Sequence, residues 1–195
     1  MVKLHQNRLK LIKINFSHDT QLSNLLHNFE LKIIFKSISM KVNILTNEEL
    51  LTHWQGHRTL TRRVIEAFPE KELFEYNIGG MRTFADLVKE LLSIAVPGLE
   101  GIVNNSTEGY NHNLPLTTKA DLLNAWDDAT PKINELFMQI SENRFKEEFN
   151  LFGEYKFPVI QNILYFIDNE IHHRGQGYVY LRSLNIEPPF FWDRY

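Results

Sequence analysis

The chain has no cysteine among its 195 residues. That removes disulfide frameworks, cysteine-based zinc sites and thiol nucleophiles together, and it fits a reducing, cytoplasmic setting. No apolar run approaches the roughly 18 residues that a membrane-spanning helix needs, so no membrane role is expected. A basic excess is missing too: the net charge is −3, with no cluster of Lys or Arg after residue 40, which argues against a nucleic-acid partner. Strand-like alternation is scarce, apart from a short extended piece expected over residues 145–152.

What remains is ordinary globular composition, 43% hydrophobic and 23% charged, in a length that suits one domain with a full core. Charge divides the chain unevenly. Residues 1–39 carry Lys3, Arg8, Lys10, Lys13, Lys32 and Lys36 against Asp19 and Glu30, and Met40 stands at the change. The segment lacks the apolar stretch and small-residue cleavage site of a secretory signal. It reads as an extra helix around Gln21 to Phe29, a basic arm, or upstream sequence ahead of the true start. The last is favoured because the first well-capped element begins only at Thr46. Residues 40–195 then form the domain proper.

From Thr46 the punctuation is regular. Thr46 with Glu49, Thr83 with Asp86 and Thr118 with Asp121 are capping signatures, opening helices expected to run to about Ala67, Val103 and Asn143. A fourth helix opens at Pro158, a residue tolerated in a first turn, and ends near Asn185 ahead of Pro188 and Pro189. The expected architecture is all-α, a four-helix bundle. Pro97 and Pro131 fall inside the second and third helices, and Pro97 frees the Ser93 carbonyl beside the Ser93 hydroxyl.

Two seams run along the last helix. Ile160, Ile163, Leu164, Ile167, Ile171, Tyr178 and Leu181 read as its core face, and Asn162, Phe166, Asn169, His173, Gln176 and Tyr180 as a second, polar and aromatic face. Asn169 and His173, one turn apart, could hold a common atom; equally, the stripe could be solvated, or its amides and imidazole satisfied by neighbours. In the first helix Leu50, Trp54, His57, Thr61, Val64 and Phe68 form a core seam with His57 in its middle and His53 at its edge. His172 projects about 100° from His173 and belongs to the surface or to a supporting role. Arg174 is expected to pair with a carboxylate on a neighbouring helix, and Gly175 to permit close helix approach.

The run Asn169-Glu170-Ile171-His172-His173-Arg174-Gly175-Gln176, followed by Tyr178-Val179-Tyr180-Leu181-Arg182 and Ile186-Glu187-Pro188-Pro189, resembles the last helix of DinB/YfiT-like proteins. Met81-Arg82-Thr83-Phe84 resembles that family's entry into the second helix. The resemblance spans roughly Leu45 to Pro189. It implies an up-down-down-up bundle, frequent homodimers and, in many members, a divalent metal on three histidines. Those positions fall here on Ser93, Asn169 and His173, of which only His173 is histidine.

Serine and asparagine are poorer donors than imidazole for zinc or nickel, so a lost or weakened metal site and no resident cofactor are expected. A remodelled metal site would turn His57 toward His173, with Asn169 or Glu90 as a third donor. Three functions follow. The first is a small molecule bound in the bundle core by His57, Asn169, His173 and Gln176. The second is a metal-dependent thiol S-transferase or hydrolase-like enzyme using His173, an activity class implied by the resemblance. The third is a non-catalytic, stress-associated homodimer in which the polar seam or the aromatic tail, Pro188 to Tyr195, forms the interface; the tail's simplest dock is its own bundle.

Overall fold

The computed structural model describes residues 44–195, so the readings placed on residues 1–39 lie outside the described residues. Helix α1, Asn47–Ala67, begins at a complete capping box. Thr46 Oγ1 accepts from the Glu49 N–H at 3.2 Å, and Glu49 Oε2 accepts from the Thr46 N–H at 2.7 Å. It stops where expected, because Phe68 is forced into the extended region ahead of Pro69. Pro69 then opens a short helix absent from the sequence reading, α2, Glu70–Glu75.

Helix α3, Phe84–Asn104, starts under the Thr83 cap and ends on Asn105, whose φ of 54° is the left-handed stop that asparagine tolerates. Helix α4, Lys119–Met138, opens with the Thr118/Asp121 box. It ends short of the expected Asn143, since the Gln139 and Ile140 N–H groups bond back three residues to Leu136 and Phe137 and tighten the last turn. A single 3-10 turn, Arg144–Lys146, leads into strand β1, Glu148–Leu151, which pairs antiparallel with β2, Tyr155–Pro158. The expected extended piece is thus one arm of a hairpin. Helix α5, Val159–Ser183, follows directly. Pro158 offers it no side-chain cap, and the hairpin substitutes: the Val159 N–H donates to Glu147 O at 2.9 Å.

The four long helices form the bundle. One apolar cluster gathers Leu50 and Trp54 of α1, Ile94 to Ile102 of α3, Ile133 and Phe137 of α4, and Val159 to Ile167 of α5. The other gathers Val64 to Phe68, Phe84 to Leu91, Leu122 with Trp126, and Tyr180 with Leu181. Early residues of α1 therefore meet early residues of α5 and late residues of α3 and α4, which is an up-down-down-up course. Among the described residues no helix is long and apolar enough to cross a membrane.

Two expectations about α5 need correction. Leu164 and Ile171 of its supposed core stripe are exposed, while Asn162, Phe166, Glu170, His173, Arg174 and Tyr180 are buried. The inward face is rotated toward the polar seam because that seam, with its aromatics, has partners on α1 and α3. Gly175 faces open space. Close approach occurs instead at Gly177, where a Cβ would lie 2.5 Å from Phe84 Cε2, and at Gly98, which lies against the Phe166 ring.

Gly177→Ala should accordingly destabilise the bundle by about 1–3 kcal/mol through overpacking. Gly175→Ala should gain up to about 1 kcal/mol from helix propensity alone. Urea unfolding of the two variants checks both signs.

Candidate functional site

The two apolar clusters are separated by polar side chains that α1 and α5 send into the core. Glu170, only 2% exposed, accepts from Trp54 Nε1 at 3.2 Å and from Thr61 Oγ1 at 2.6 Å. Arg174 lies one turn on, 3.9 Å from the same carboxylate, so its carboxylate partner is on its own helix rather than a neighbouring one. Its guanidinium donates to His57 O at 3.2 Å, Thr61 Oγ1 at 3.1 Å and His57 Nδ1 at 2.9 Å. Arg58 is equally buried, stacked 4.1 Å from the Trp126 ring centre and donating to Trp126 O at 3.0 Å. Burial pushes the Glu170 carboxyl above its ordinary range, against the pull of Arg58, Thr61, Arg174 and Trp54.

His57 belongs to this layer. Arginine can only donate, and arginines stand against both ring nitrogens, Arg174 at Nδ1 and Arg194 at Nε2, so the single lone pair of the neutral ring serves one of the two. Nε2 faces His53 Nε2 at 3.2 Å, and Arg194 of the C-terminal tail stands 2.9 Å from it. Burial, then Arg174, His53 and Arg194, lower the His57 pKa from 6.5 to about 3. The tail is held on α1 at two further points, Asp193 with Arg63 and the Tyr195 ring against Gly56, which bears out docking on its own bundle. Phe190, Phe191 and Trp192 remain exposed.

A second cluster lies between α3 and α5. Glu90 Oε1 accepts from Asn169 Nδ2 and from His173 Nε2, each at 3.1 Å, while Oε2 accepts from Arg82. His173 Nδ1 meets Gln176 Oε1 at 2.8 Å. With acceptors at both nitrogens, a doubly protonated ring satisfies every contact; a neutral ring does so if Gln176 turns its amide nitrogen inward. The hydrogen bond from His173 does most to lower the Glu90 pKa, from 4.5 to about 2; Arg82, Asn169 and the charge of His173 add to it, and burial opposes it. Ser93, one turn along, is buried and donates to Glu90 O at 2.8 Å.

Of the candidate residues, the structure brings Asn169, His173 and Gln176 together with Glu90, and Ser93 stands close by on α3. It does not bring His57 to them: His57 spends both ring nitrogens on Arg174, His53 and Arg194. Among the described residues no three His, Asp or Glu side chains come together where they could hold a metal ion. Asn169 turns its amide nitrogen toward Glu90, Ser93 already donates within its helix, and both ring nitrogens of His57 face arginines. The sequence reading passed over Glu170 and Arg58, although Glu170, Arg174 and Arg58 lie at three- and four-residue spacing from apolar core positions and could have been found that way.

The DinB family model matches residues 40–192. The chain is 24% identical over 152 residues to an uncharacterized protein, YjoA, of Bacillus subtilis, covering 76% of this chain and 97% of the relative. The crystal structure of that DinB-like protein superposes with a TM-score of 0.59 at 20% identity, covering 73% of this chain and 96% of the other. A DinB-like protein from Bacillus cereus gives a TM-score of 0.61 at 17% identity, over 73% and 95% of the two chains.

Two groups held well below their ordinary range, His57 and Glu90, set an acid limb. His57 titrates at about 3 when folded and 6.5 when not, so the stability it carries is complete above 6.5 and is lost as pH falls toward 3. Glu90 likewise contributes above its ordinary 4.5 and loses that contribution as pH falls toward 2. Glu90→Gln should cost about 1–3 kcal/mol at pH 7 and almost nothing at pH 2, read from urea midpoints across that range.

Proposed function

The chain belongs to the DinB family, and we propose that within it this protein works without a metal, binding a small polar organic molecule between α3 and α5. The observation that carries this reading is the Glu90 carboxylate, which takes one hydrogen bond from Asn169 and another from His173. A negative side chain thus lies against two of the three positions that the resemblance marks as metal ligands. Asn169 and His173 offer N–H donors and Glu90 an acceptor. That set suits a ligand with a hydroxyl, amide or carboxylate able to exchange with one of these internal bonds. Glu90 retains 20% exposure of its side chain and His173 7%, so a ligand would reach the carboxylate edge first.

The rival reading, a metal-dependent thiol transferase, needs a bound cation to acidify a thiol. Its donor set here is the His173 imidazole and the Glu90 carboxylate, already bonded to each other, with one amide and one hydroxyl. Elemental analysis of untagged protein should find zinc and nickel far below one equivalent, and a chelator should leave Tm unchanged. Stoichiometric metal that disappears in His173→Ala would reverse the ranking.

A homodimer belongs to the same proposal. Leu164, Ile171 and Val179 are 40%, 38% and 55% exposed on one side of α5, with Gly175 uncovered between the last two. A second copy of this helix could approach closely along that line. Light scattering should give a dimer mass, and Ile171→Lys with Val179→Lys should give a monomer of unchanged helicity.

A further inference from the structure

We infer that the ligand proposed for Glu90, Asn169 and His173 carries an unbranched hydrocarbon chain, which runs along α5 and fills the cleft between the β-hairpin and the start of that helix. This rests on the polar site binding a small molecule, and it adds the chemical class of the ligand's other end.

The polar site and the cleft lie on one ridge of α5. Gln161, Tyr165, Asn169 and His173 recur every four residues, so their side chains follow one another along a single face of the helix. With a rise of about 1.5 Å per residue, Tyr165 lies about 6 Å and Gln161 about 12 Å from Asn169 along the axis. Across the groove α3 keeps step in the opposite direction. Glu90 meets Asn169 and His173, and two turns on Gly98 lies against the ring of Phe166, the chain neighbour of Tyr165.

The far end of the ridge opens into an uncharged space. The cleft encloses about 230 Å³ and is lined by Tyr155, Phe157, Gln161, Asn162 and Tyr165, none of them ionic. The Tyr155 and Tyr165 rings stand 6.3 Å apart between centres and 23° from parallel, too close to admit a guest between them. They form one continuous wall, and Phe157 supplies another. Lys156, between Tyr155 and Phe157 on β2, points to the other face of the hairpin and pairs with Glu148 at 3.6 Å. Asn162 spends its Nδ2 on Phe149 O at 3.3 Å and Phe157 O at 3.4 Å, which fixes the hairpin to α5.

Size and length then narrow the ligand. Drug-sized molecules occupy roughly 300–1,000 Å³, so the cleft takes a single chain rather than a ring system. An interval of about 6–12 Å from Asn169, at about 1.5 Å per zigzag carbon–carbon bond, corresponds to about six to ten carbons. The head must both donate to Glu90 and accept from Asn169 or His173, which a primary amide does.

Calorimetric titration with butanamide and octanamide tests the inference. Each methylene taken out of water strengthens binding up to about fourfold, so octanamide should bind saturably and at least about tenfold tighter than butanamide. Phe157→Ala and Tyr165→Ala, both at half-exposed positions, should each shrink that advantage at least about threefold. Glu90→Gln should weaken both amides at least about fivefold and leave their ratio within about twofold. Equal affinity of the two amides, or an advantage that both cleft substitutions leave intact, would overturn the hydrocarbon chain and leave the polar site standing. Amide affinities unchanged in Glu90→Gln would overturn the polar site, and the route along α5 with it. Absence of saturable heat from both amides would overturn both.

Discussion

Burying one carboxylate fixes the register of this bundle. Glu170 sits where a four-helix core is ordinarily dry, and it is tolerable there only because α1 brings Trp54 and Thr61 within hydrogen-bonding reach and α5 itself brings Arg174. Sliding α5 by one turn would leave a charged group without donors, a loss on the order of 3–5 kcal/mol. Apolar contacts discriminate less sharply between neighbouring registers, since one branched side chain fills much the same space as another. Specificity of alignment thus resides in the polar layer, and the two apolar clusters supply the bulk of the burial on either side of it.

That alignment gives two histidines opposite surroundings. Counting from Glu170, Arg174 is carried to the His57 ring and His173 to the Glu90 carboxylate. His57 is flanked by arginines and held neutral; His173 lies between the Glu90 carboxylate and the Gln176 amide. The pair therefore answers to two separate environments, one closed over by the C-terminal tail and one open along the groove between α3 and α5. Chemistry that needs both imidazoles at a single centre has no place in this arrangement. Hydrogen-bond exchange at the groove does.

Much of the scaffold could be read from residue order. Three threonine caps, Pro69 and Pro158 mark helix boundaries by local rules, and the α1 seam from Leu50 to Phe68 is buried as its spacing requires. The rest depended on partners distant in sequence. The face of α5 that turns inward is decided by Glu90, Trp54 and Thr61, and mean apolarity pointed instead to Leu164 and Ile171. Asn169, Ser93 and His173 were visible as a group through their spacing and the family resemblance. The carboxylate at their centre was visible only as a neighbour of Ser93, because its role rests on contacts to residues about 80 positions away. The hairpin arm Tyr155–Pro158 escaped notice since Tyr, Lys, Phe and Pro give too short a pattern for alternation to register.

The up-down-down-up course also shapes how such a chain reaches its native state. Helices α3 and α4 run in the same direction, so the connection of residues 105–118 must travel back along the bundle before α4 can begin. The bonds joining α1 to α5 close separations of up to 117 residues. Loop-closure entropy is spent before those contacts return anything, which slows assembly relative to a bundle of consecutive antiparallel hairpins. The α1–α5 seam, with the arginines and carboxylate of the central layer, is the part of the fold whose contacts close the longest loops.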